Sequence, residues 1–431
     1  MYILIALTFA ALLFISGCTD TDNPEGHINA LAVWAHAGQE RERNTLKSQV
    51  ARYNKNHPQH PVRLTLIPEG SYNAQVQAAA VAGNLPDLLE FDGPFLYAYI
   101  WQGRLQPLDN LLPETLIDDL LPSILQQGSY RDHLWSVGIF DSGLGLYADR
   151  SRLVAVGARI PTLENPWRQD EFNNILQRLV NTDPDGQALD LKLNYGGEWY
   201  TYALSPLIQS AGGDLVSRGE VYSAQGSLNG PETADVLHTI QRWIEAGWVD
   251  PNIDDAAFTS GRVAMAMGGH WNYARYHEHL GEDLLLLPLP DFAYGSKTGQ
   301  GSWSWSITSN CDNPKAAARF LAFLLQPEEV LAMTDANGAV PATRSAIGQS
   351  LRYRTGGALQ LFVDQLKAGY AIPRPRTPAY PVITAEFQRA FERIRSGSDV
   401  QAVLDEAARS IDLEIEDNKG YPWLFTAVER Q

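Results

Sequence analysis

Aromatic residues stand beside acids, histidine and small residues at several places where the chain should turn, and these places suggest a binding chemistry. The segments are GGHW at Gly268–Trp271, SWSW at Ser302–Trp305 and NYGGEWYTY at Asn194–Tyr202. Aromatic rings pack on flat apolar surfaces, while carboxylates, imidazoles and hydroxyls pair with polar hydrogens and oxygens. A site built from both kinds of group suits an uncharged ligand with apolar faces and polar edges.

The candidate residues of this site lie at predicted strand ends and turns. Each has a structural alternative, since an aromatic ring can belong to the core and an acid can stabilise a turn. Trp303 and Trp305 share one face of their strand because side chains alternate, so they form either a stacking surface or core. Arg344 could bind hydroxyl groups through its guanidinium or form a surface ion pair. The full set is Trp34, His36, Tyr72, Asp92, Asp141, Trp199, Tyr200, His270, Trp271, Trp303, Trp305 and Arg344.

The charge of the chain narrows the class of partner. Its 431 residues contain 33 Lys and Arg against 50 Asp and Glu, which gives a formal net charge of −17. Nucleic acid and anionic lipid surfaces are bound by clustered Lys and Arg, so neither is an expected partner of the protein surface. The nine His residues are scattered, and His277 and His279 have the wrong spacing for metal ligands on one helical face. We therefore expect no metal and no cofactor.

The first residues have the composition of an export signal. Met1–Gly17 contains no charged residue, and Ile3–Ile15 is apolar except for Thr8. This length suits the apolar part of a secretory signal better than a membrane span. The sequence therefore predicts a signal peptide at residues 1–17.

A cysteine stands where the apolar run ends. The residues Ile15–Cys18 resemble the bacterial lipobox, in which a signal peptidase cuts before a cysteine that carries diacylglycerol. The resemblance implies that Cys18 is lipidated and that residues 18–27 form a flexible tether, as their turn-forming composition also indicates. Cys311 then has no partner for a disulfide within the fold.

Hydrophobic periodicity predicts that strands and helices alternate at the start of the mature chain. Strands are predicted at Ile28–Trp34, Val62–Ile67 and Asp87–Phe91. The helix after the first strand contains Leu46, Val50 and Tyr53, and the helix after the second spans Tyr72–Ala82. Such alternation favours a parallel sheet with helices on both faces, and hence an α/β fold. Ligands of open sheets collect outside the carboxyl ends of the strands, where Trp34, His36 and Asp92 are expected.

The same patterns continue through the rest of the chain. They predict a strand at Gly143–Asp149 and helices at Gln169–Asn181, at Gly230–Gly247, at Lys315–Leu325, from Pro327 onward and in the tail. One stripe of the tail helix should pack on the fold and contains Val400, Val403, Leu404, Ala407, Ile411 and Ile415. The mature chain is longer than the roughly 250–300 residues that one core organises, so we expect two lobes.

Five stretches resemble one family, the extracellular solute-binding proteins of bacterial ABC importers, in particular the carbohydrate-binding group that includes maltose-binding protein. They are LAVWAHAGQERE, GNLPDLLEFDGP, WSVGIFDSGLGLYADRSRL, FTSGRVAMAMGGHW and GSWSWSITSNCDNPKAAARFLAFLLQPEEVLAMTDANGAVPATRSA. The resemblance implies the type II periplasmic-binding-protein fold, in which two α/β lobes close on a ligand by a hinge. The implied lobes are residues 28–140 with 303–340 and residues 141–302 with 341–431. The implied crossings are near Phe140–Ser142, Gly301–Ser304 and Val340–Ala342.

The resemblance also implies a function. The ligand would be a mono- or oligosaccharide, whose C–H faces pack on aromatic rings and whose hydroxyls need polar partners. Trp271 becomes the leading stacking candidate, while Asp92 and Asp141 gain support as acceptors for sugar hydroxyls. The implied protein is a monomer, held by lipid on the outer side of the cytoplasmic membrane, that delivers its ligand to an ABC permease.

Two alternatives stay open at this point. An exported glycoside hydrolase needs a pair of carboxylates, which Asp92, Asp141 and Glu198 could supply. Motifs of other hydrolases, such as G-x-S-x-G and H-E-x-x-H, do not occur in the sequence. A binding protein for a non-sugar solute is the other alternative, and the absence of a Lys and Arg cluster beside the proposed site disfavours a strongly anionic solute.

Overall fold

The computed structural model describes residues 30–183, 186–219 and 222–422. The predicted signal peptide, Cys18 and the predicted tether lie outside the described residues. Within the described part of the chain, no helix is both long enough and apolar enough to cross a membrane.

The described residues form short strands and mostly longer helices. The strands are β1 Leu31–His36, β2 Val62–Ile67, β3 Leu88–Asp92, β4 Ser129–Tyr130, β5 His133–Leu134, β6 Phe140–Asp141, β7 Leu144–Asp149, β8 Leu189–Asp190, β9 Met265–Gly269, β10 Leu284–Leu287, β11 Thr298–Gln300, β12 Trp303–Ile307, β13 Val340–Pro341 and β14 Ala371–Pro373. The helices are α1 Glu40–Asn56, α2 Glu69–Ala82, α3 Leu96–Trp101, α4 Glu114–Asp119, α5 Pro122–Gly128, α6 Arg150–Ala155, α7 Gln169–Thr182, α8 Glu198–Ser210, α9 Pro231–Glu245, α10 Tyr273–Leu280, α11 Pro314–Leu324, α12 Pro327–Asn337, α13 Arg344–Gln349, α14 Gln360–Lys367, α15 Tyr380–Arg395 and α16 Val400–Asp417.

The first sheet has the strand order β12-β3-β1-β2. Strand β1 pairs in parallel with both β2 and β3, which confirms the predicted parallel arrangement. The predicted bounds of β2 are correct, whereas β1 runs two residues beyond Trp34 to His36. Strand β12 joins from much later in the chain and pairs with β3 in the antiparallel direction, which places Trp303 opposite Asp92.

The second sheet has the strand order β10-β7-β9-β8. Strand β7 pairs antiparallel with both β9 and β10, and β8 pairs in parallel with β9. Its strands are almost entirely buried because helices cover the sheet. The described residues therefore form a mixed α/β structure with two four-stranded sheets and three strand pairs, and the predicted α/β class is confirmed.

Each sheet has its own hydrophobic core. The first core runs in sequence from Leu31 to Ala342 and contains Trp305 and the buried thiol of Cys311. The second core runs from Leu144 to Ile415, and helices α15 and α16 pack against each other within it. The predicted apolar stripe of the tail helix is confirmed, since all six of its residues are buried in the second core.

Helix boundaries follow the capping residues of the sequence. The Asn313 side chain accepts a hydrogen bond from the backbone N–H of Ala316 at the start of α11. The Asp399 side chain does the same for the N–H of Ala402 in α16. These acceptors satisfy backbone N–H groups that have no partner inside the helix, so they fix where each helix begins.

Two pairs of short strands lie outside the two four-stranded sheets. Strand β6 pairs antiparallel with β13, so Val340 stands opposite Asp141, and β11 pairs in parallel with β14. The Ser142 hydroxyl donates a hydrogen bond to the backbone oxygen of Gly301. The three segments at which the resemblance implies crossings therefore lie close to one another through β6, β13 and the residues beside β11.

Candidate ligand-binding site

One group of site residues stands at the carboxyl end of the first sheet. His36 is the last residue of β1, and its Nδ1 donates a hydrogen bond to Oε2 of Glu90 in β3 at 2.7 Å. The imidazole lies parallel to the indole of Trp303, with 3.9 Å between the ring centroids and 7° between the planes. Tyr72 contacts the edge of the same indole at 5.2 Å and donates its hydroxyl hydrogen to the backbone oxygen of Glu90.

The electrostatics of this group depend on two carboxylates around His36. Glu42 lies on the other side of the ring, with 3.7 Å between its Oε1 and Nε2 of His36. Burial by itself lowers the pKa of His36, but the charges of Glu90 and Glu42 outweigh burial and raise the pKa well above 6.5. Burial raises the pKa of Glu42, and the imidazole outweighs it and brings the pKa to about 2. His36 is therefore a buried cation with two carboxylate partners.

Trp34 takes a supporting position in this group. Its side chain is half-buried and packs on the aromatic cluster that contains Tyr72, Phe91 and Tyr99. His36 is only 5% exposed, and both of its ring nitrogens face carboxylates. Trp303, like Trp34, is only partly buried, so these two rings are more accessible to a ligand than those of His36 and Tyr72.

A second aromatic group lies at the end of β9. The Trp271 ring centroid is 6.1 Å from that of Trp199 in an edge-to-face arrangement and 6.4 Å from that of Tyr202. A Cβ atom on Gly269 would stand 2.1 Å from the Trp271 ring, so only glycine allows this packing. Tyr195, which was not among the predicted residues, is 38% exposed and lies 5.3 Å from Trp199.

The loop before α8 sets the position of Trp199. Gly196 and Gly197 both have positive φ, a conformation that glycine adopts without steric cost. The Trp199 indole N–H donates to the backbone oxygen of Leu191 at 3.0 Å, which fixes the ring against the second core. Trp199 is 8% exposed and so supports Trp271 from behind.

A third group is centred on Arg374, just after β14. Its guanidinium binds both oxygens of Asp92 at 2.6 and 2.7 Å and Oε1 of Glu198 at 2.5 Å. Asp92 ends a strand of the first sheet, whereas Glu198 begins helix α8 beside the second core. The Tyr202 ring lies under the guanidinium at 5.0 Å, where an aromatic face attracts a cation.

Further hydrogen bonds hold Glu198 in place. Thr384 donates to Oε2 of Glu198 at 2.6 Å, and the Tyr380 hydroxyl donates to Oε1. Burial raises the pKa of Glu198, and Arg374 acts in the opposite direction. Burial lowers the pKa of Arg374, but Asp92, Tyr380 and Glu198 outweigh burial and raise the pKa well above its ordinary value. The guanidinium is therefore always charged in this position.

The three groups are in contact with one another. The Gln39 side chain donates to the backbone oxygen of Trp271 at 3.3 Å, directly after the loop that follows His36. Asn337 donates to Oε1 of Glu42 at 3.0 Å and accepts from Nδ1 of His270 at 3.0 Å through its backbone oxygen. The Tyr202 ring contacts both Trp271 and the guanidinium of Arg374, which joins the third group to the second. The aromatic and charged groups thus form one connected set of residues.

His270 and Asp141 lie beneath the surface of this site. His270 is 5% exposed, and burial lowers its pKa to about 4, so its ring is neutral and donates to Asn337. Asp141 is fully buried and accepts hydrogen bonds from Gln127 at 3.1 Å and from the backbone N–H of Ser142 at 2.8 Å. Burial raises the pKa of Asp141. Both residues have structural partners and no exposed polar atom of consequence.

Three predicted site residues lie apart from these groups. Trp305 is fully buried in the first core because Val137 pairs with it and Phe320 packs on it at 6.5 Å. Tyr200 is 1% exposed and donates to Oε1 of Glu392 at 2.9 Å, on the far side of α8 from Trp199. The exposed Arg344 donates to the backbone oxygen of Asp118. The predicted contact with a ligand is therefore not supported by the positions of these three side chains.

Arg374 and Tyr202 were missed by sequence reasoning. Arg374 lies in the segment IPRPRTPAY and Tyr202 lies in NYGGEWYTY, in which Trp199 and Tyr200 were preferred. The partners of Arg374 come from β3 and α8, which are distant in sequence, so no local pattern identifies the ion pairs. Among the described residues, no three His, Cys, Asp or Glu side chains are placed to hold a metal ion.

The fold is that of a known class of protein. Residues 48–350 match the family described as bacterial extracellular solute-binding protein, and the chain belongs to that family. It is therefore an exported protein that binds a solute.

Related proteins align with most of the chain. A maltotriose-binding protein of Pyrococcus abyssi is 21% identical over 76% of this chain and 70% of its own length. A lipoprotein of Streptomyces antibioticus, uncharacterised and from the oleD 5′ region, is 24% identical over 78% of this chain and 75% of its own length.

Solved structures share the fold. The cyclic α-maltosyl-1,6-maltose binding protein of Arthrobacter globiformis has a TM-score of 0.72 and 21% identity, over 90% of this chain and 99% of its own. The maltotriose-bound MalE domain of Bdellovibrio bacteriovorus has a TM-score of 0.74 and 18% identity, over 90% of this chain and all of its own. The two-lobed α/β fold that the sequence predicts is thereby confirmed.

Proposed function

We propose that this chain is the sugar-binding component of an ABC importer. It captures a mono- or oligosaccharide in a cleft between two lobes, by ring stacking and hydroxyl hydrogen bonds, and delivers the sugar to a membrane permease. The observation that carries this proposal is that the partly exposed rings of Trp271 and Trp303 and the partly exposed carboxylates of Asp92 and Glu198 belong to one connected set of residues. Trp303 pairs with Asp92 across neighbouring strands, and the Tyr202 ring contacts both Trp271 and the guanidinium that binds the two carboxylates. A sugar requires both, since its C–H faces pack on rings and its hydroxyls donate to carboxylates.

The relatives support the same ligand class. The Pyrococcus abyssi protein is named for maltotriose, and a Bacillus subtilis relative, 21% identical over 62% of this chain, is named for maltodextrin. The structural neighbours named above are described with a cyclic maltosyl-maltose and with maltotriose. α-Linked glucose oligomers are therefore the first ligands to test.

The proposed cleft lies between lobes made of residues 28–140 with 303–340 and of residues 141–302 with 341–431. The pairs β6–β13 and β11–β14 would form the hinge, since they join the segments between the two sheets. A ligand that contacts both lobes favours the closed state by the contacts it makes only there. The closed form would then dock on the permease.

Binding without bond cleavage fits the state of the carboxylates. Asp92 and Glu198 are both held by Arg374, and Asp141 is buried beneath the site with its own donors. Glycoside hydrolysis needs one carboxyl group free to protonate the leaving oxygen and a second free to act on the sugar carbon or on water. The proposed protein is accordingly a carrier and not an enzyme.

The proposed location is the outer side of the cytoplasmic membrane. The lipobox-like segment before Cys18 supports lipid attachment there. The relative from Streptomyces antibioticus, which aligns with 78% of this chain, is described as a lipoprotein. Stable anchoring by acyl chains requires more than one chain, which diacylglycerol supplies. The anchored protein would act as a monomer.

The test is thermal unfolding of the chain truncated before Thr19, in the presence of maltose, maltotriose, mannobiose, tagatose and a cyclic maltosyl-maltose. A sugar at 100 times its Kd adds about 2.7 kcal/mol to the stability of the native state. We expect a clear rise in Tm with at least one α-glucan oligomer and recovery of that sugar intact by chromatography.

Two results would contradict the proposal. If no sugar raises Tm, the ligand is not among these carbohydrates and the aromatic groups serve another solute. If the recovered sugar is shortened, the protein is an enzyme. Glycerol at matched concentration is the control for a general effect of polyols on stability.

A further inference from the structure

One buried cation joins two parts of the proposed cleft. Arg374 binds Asp92 with both Nη atoms and Glu198 with Nη1, at 2.5 to 2.7 Å. Asp92 belongs to the first sheet through β3, and Glu198 belongs to the second core through α8. Arg374 therefore fixes the distance between two carboxylates that no other described contact links directly.

The exposure of the three side chains distinguishes their roles. The Arg374 side chain is 4% exposed, whereas those of Asp92 and Glu198 are 15% and 24% exposed. The two carboxylate side chains are thus more accessible than the guanidinium between them. With one cation and two anions, the cluster has a net charge of −1 and accepts hydrogen bonds in preference to donating them.

The surroundings leave the guanidinium little freedom. Strand β14 pairs with β11 up to Pro373, the residue before Arg374. The Tyr202 and Tyr380 rings lie 5.0 and 6.0 Å from the guanidinium carbon. A Cβ atom on Gly301 would stand 3.0 Å from Nη2, so the backbone also closes in on that side. These contacts hold the guanidinium of Arg374 in one position in this structure.

We infer that Arg374 is a positioning residue of the sugar site. It holds the partly exposed carboxylates of Asp92 and Glu198 at one spacing, so that they accept hydrogen bonds from two ligand hydroxyls in register. This inference rests on the proposed function, and it assigns a role in affinity to a residue that itself does not touch the ligand.

The experiment compares full-length wild-type protein with R374M, R374K and R376M, using maltotriose as the probe in isothermal titration calorimetry. Arg376 is a matched control because it lies two residues away and binds the Tyr97 hydroxyl and the Ser129 backbone oxygen, with no carboxylate. We expect R374M to bind on the order of 30-fold more weakly or worse, because a buried charge pair is broken. The affinity of R374K should lie between those of wild type and R374M, since lysine keeps the charge but cannot bind a carboxylate in a bidentate way. R376M should bind maltotriose within about threefold of wild type.

A pH profile separates positioning from a merely structural role. Glu198 faces Arg374, Asp92, Tyr380 and Thr384, and burial raises its pKa while Arg374 opposes the rise. Without the guanidinium the pKa of Glu198 rises further, so maltotriose affinity should begin to fall at a higher pH in R374M than in wild type. The E198Q variant, which has no carboxyl group at that position, should lack this shift when combined with R374M.

The outcomes are distinct. If wild type binds maltotriose and R374M binds it equally well, or with an unshifted pH profile, the positioning role is overturned. If R374M does not fold, the maltotriose affinity of R374K tests the inference instead. An affinity of R374K equal to that of wild type would overturn it. If wild type binds neither maltotriose nor any other sugar tested, the proposed function has failed instead.

Discussion

The imidazole of His36 stacks on the indole of Trp303, with centroids 3.9 Å apart and planes 7° from parallel. The ring nitrogens of His36 face Glu90 at 2.7 Å and Glu42 at 3.7 Å, so a charged imidazole covers one face of the tryptophan. Tyr72 packs on the edge of the same indole, and Trp303 is only partly buried. The stack thereby fixes the orientation of a partly exposed ring of the first sheet.

His36 should make stability depend on pH on the alkaline side. Its pKa is raised well above 6.5 in the folded protein, because Glu90 and Glu42 outweigh the effect of burial. A raised pKa contributes stability that is complete below about pH 6.5 and is lost as the pH rises through the folded-state value. At pH 6 we expect H36N to be less stable by about 3–5 kcal/mol, since a buried charge pair is broken.

Urea denaturation of wild type and H36N between pH 6 and pH 10 checks this prediction. The difference in free energy of unfolding should shrink as the pH rises, because the wild-type imidazole loses its proton and H36N has none to lose. A difference that stays constant across this range would mean that His36 is neutral in the folded protein.

His270 should have the reverse effect on the acid side. Burial lowers its pKa from 6.5 to about 4, so the neutral form is favoured in the folded protein. Its contribution is complete above about pH 6.5 and is lost as the pH falls toward 4, which amounts to roughly 3 kcal/mol. We expect H270N to lose less stability than wild type between pH 7 and pH 4, as measured by urea denaturation. Parallel curves for the two proteins would show that His270 does not titrate abnormally.

Trp271 and Trp305 should respond differently to truncation. Trp271→Ala removes a partly exposed ring of the site, and we expect maltotriose affinity to fall by about 1–3 kcal/mol with a folded protein. Trp305→Ala empties a position that is fully buried in the first core, so stability should fall by about 3–5 kcal/mol. Calorimetric titration and urea denaturation of both variants test the contrast. Equal effects on affinity would place both rings in the site.

The Cys18 prediction concerns a residue outside the described part of the chain. Replacing Cys18 by Ser removes the sulfur that would carry diacylglycerol, so the variant should move from the membrane fraction to the soluble exported fraction. Fractionation and immunoblotting measure this, with Cys311→Ser as the matched control, because Cys311 is a buried core thiol and should not affect location. Retention of the Cys18 variant in membranes would exclude the anchor.

Strand ends were predictable because the pattern that defines them is local. Short apolar runs bounded by turn-forming residues locate β1 and β3, and the rule for parallel sheets then brings His36 and Asp92 to one edge. The end of β12 adds Trp303 to that edge, although its antiparallel pairing with β3 was not predicted. Local sequence thus identified much of the first group of site residues.

Burial of individual rings was not predictable in the same way. Trp305 alternates with Trp303 as expected, yet Val137 and Phe320, both distant in sequence, cover it. Trp199 and Tyr200 are neighbours in α8, but successive helical side chains point in different directions, so Tyr200 faces Phe391 and Glu392 of α15. Arg374 was not predicted for a related reason. Its partners come from β3 and α8, which are distant from it in sequence and approach it only in the folded protein.

Strand β12 lies far along the sequence from the other strands of its sheet, and this affects how the protein folds during synthesis. The first core includes β1 near the start of the mature chain, β12, and helices α11 and α12 that follow it, so it is complete only when residues as far as Ala342 are available. Contacts between such distant segments slow folding, because a long loop must close before they form. A core that is completed late delays folding during synthesis, and a chain that has not yet folded is the form that a narrow secretion channel can thread.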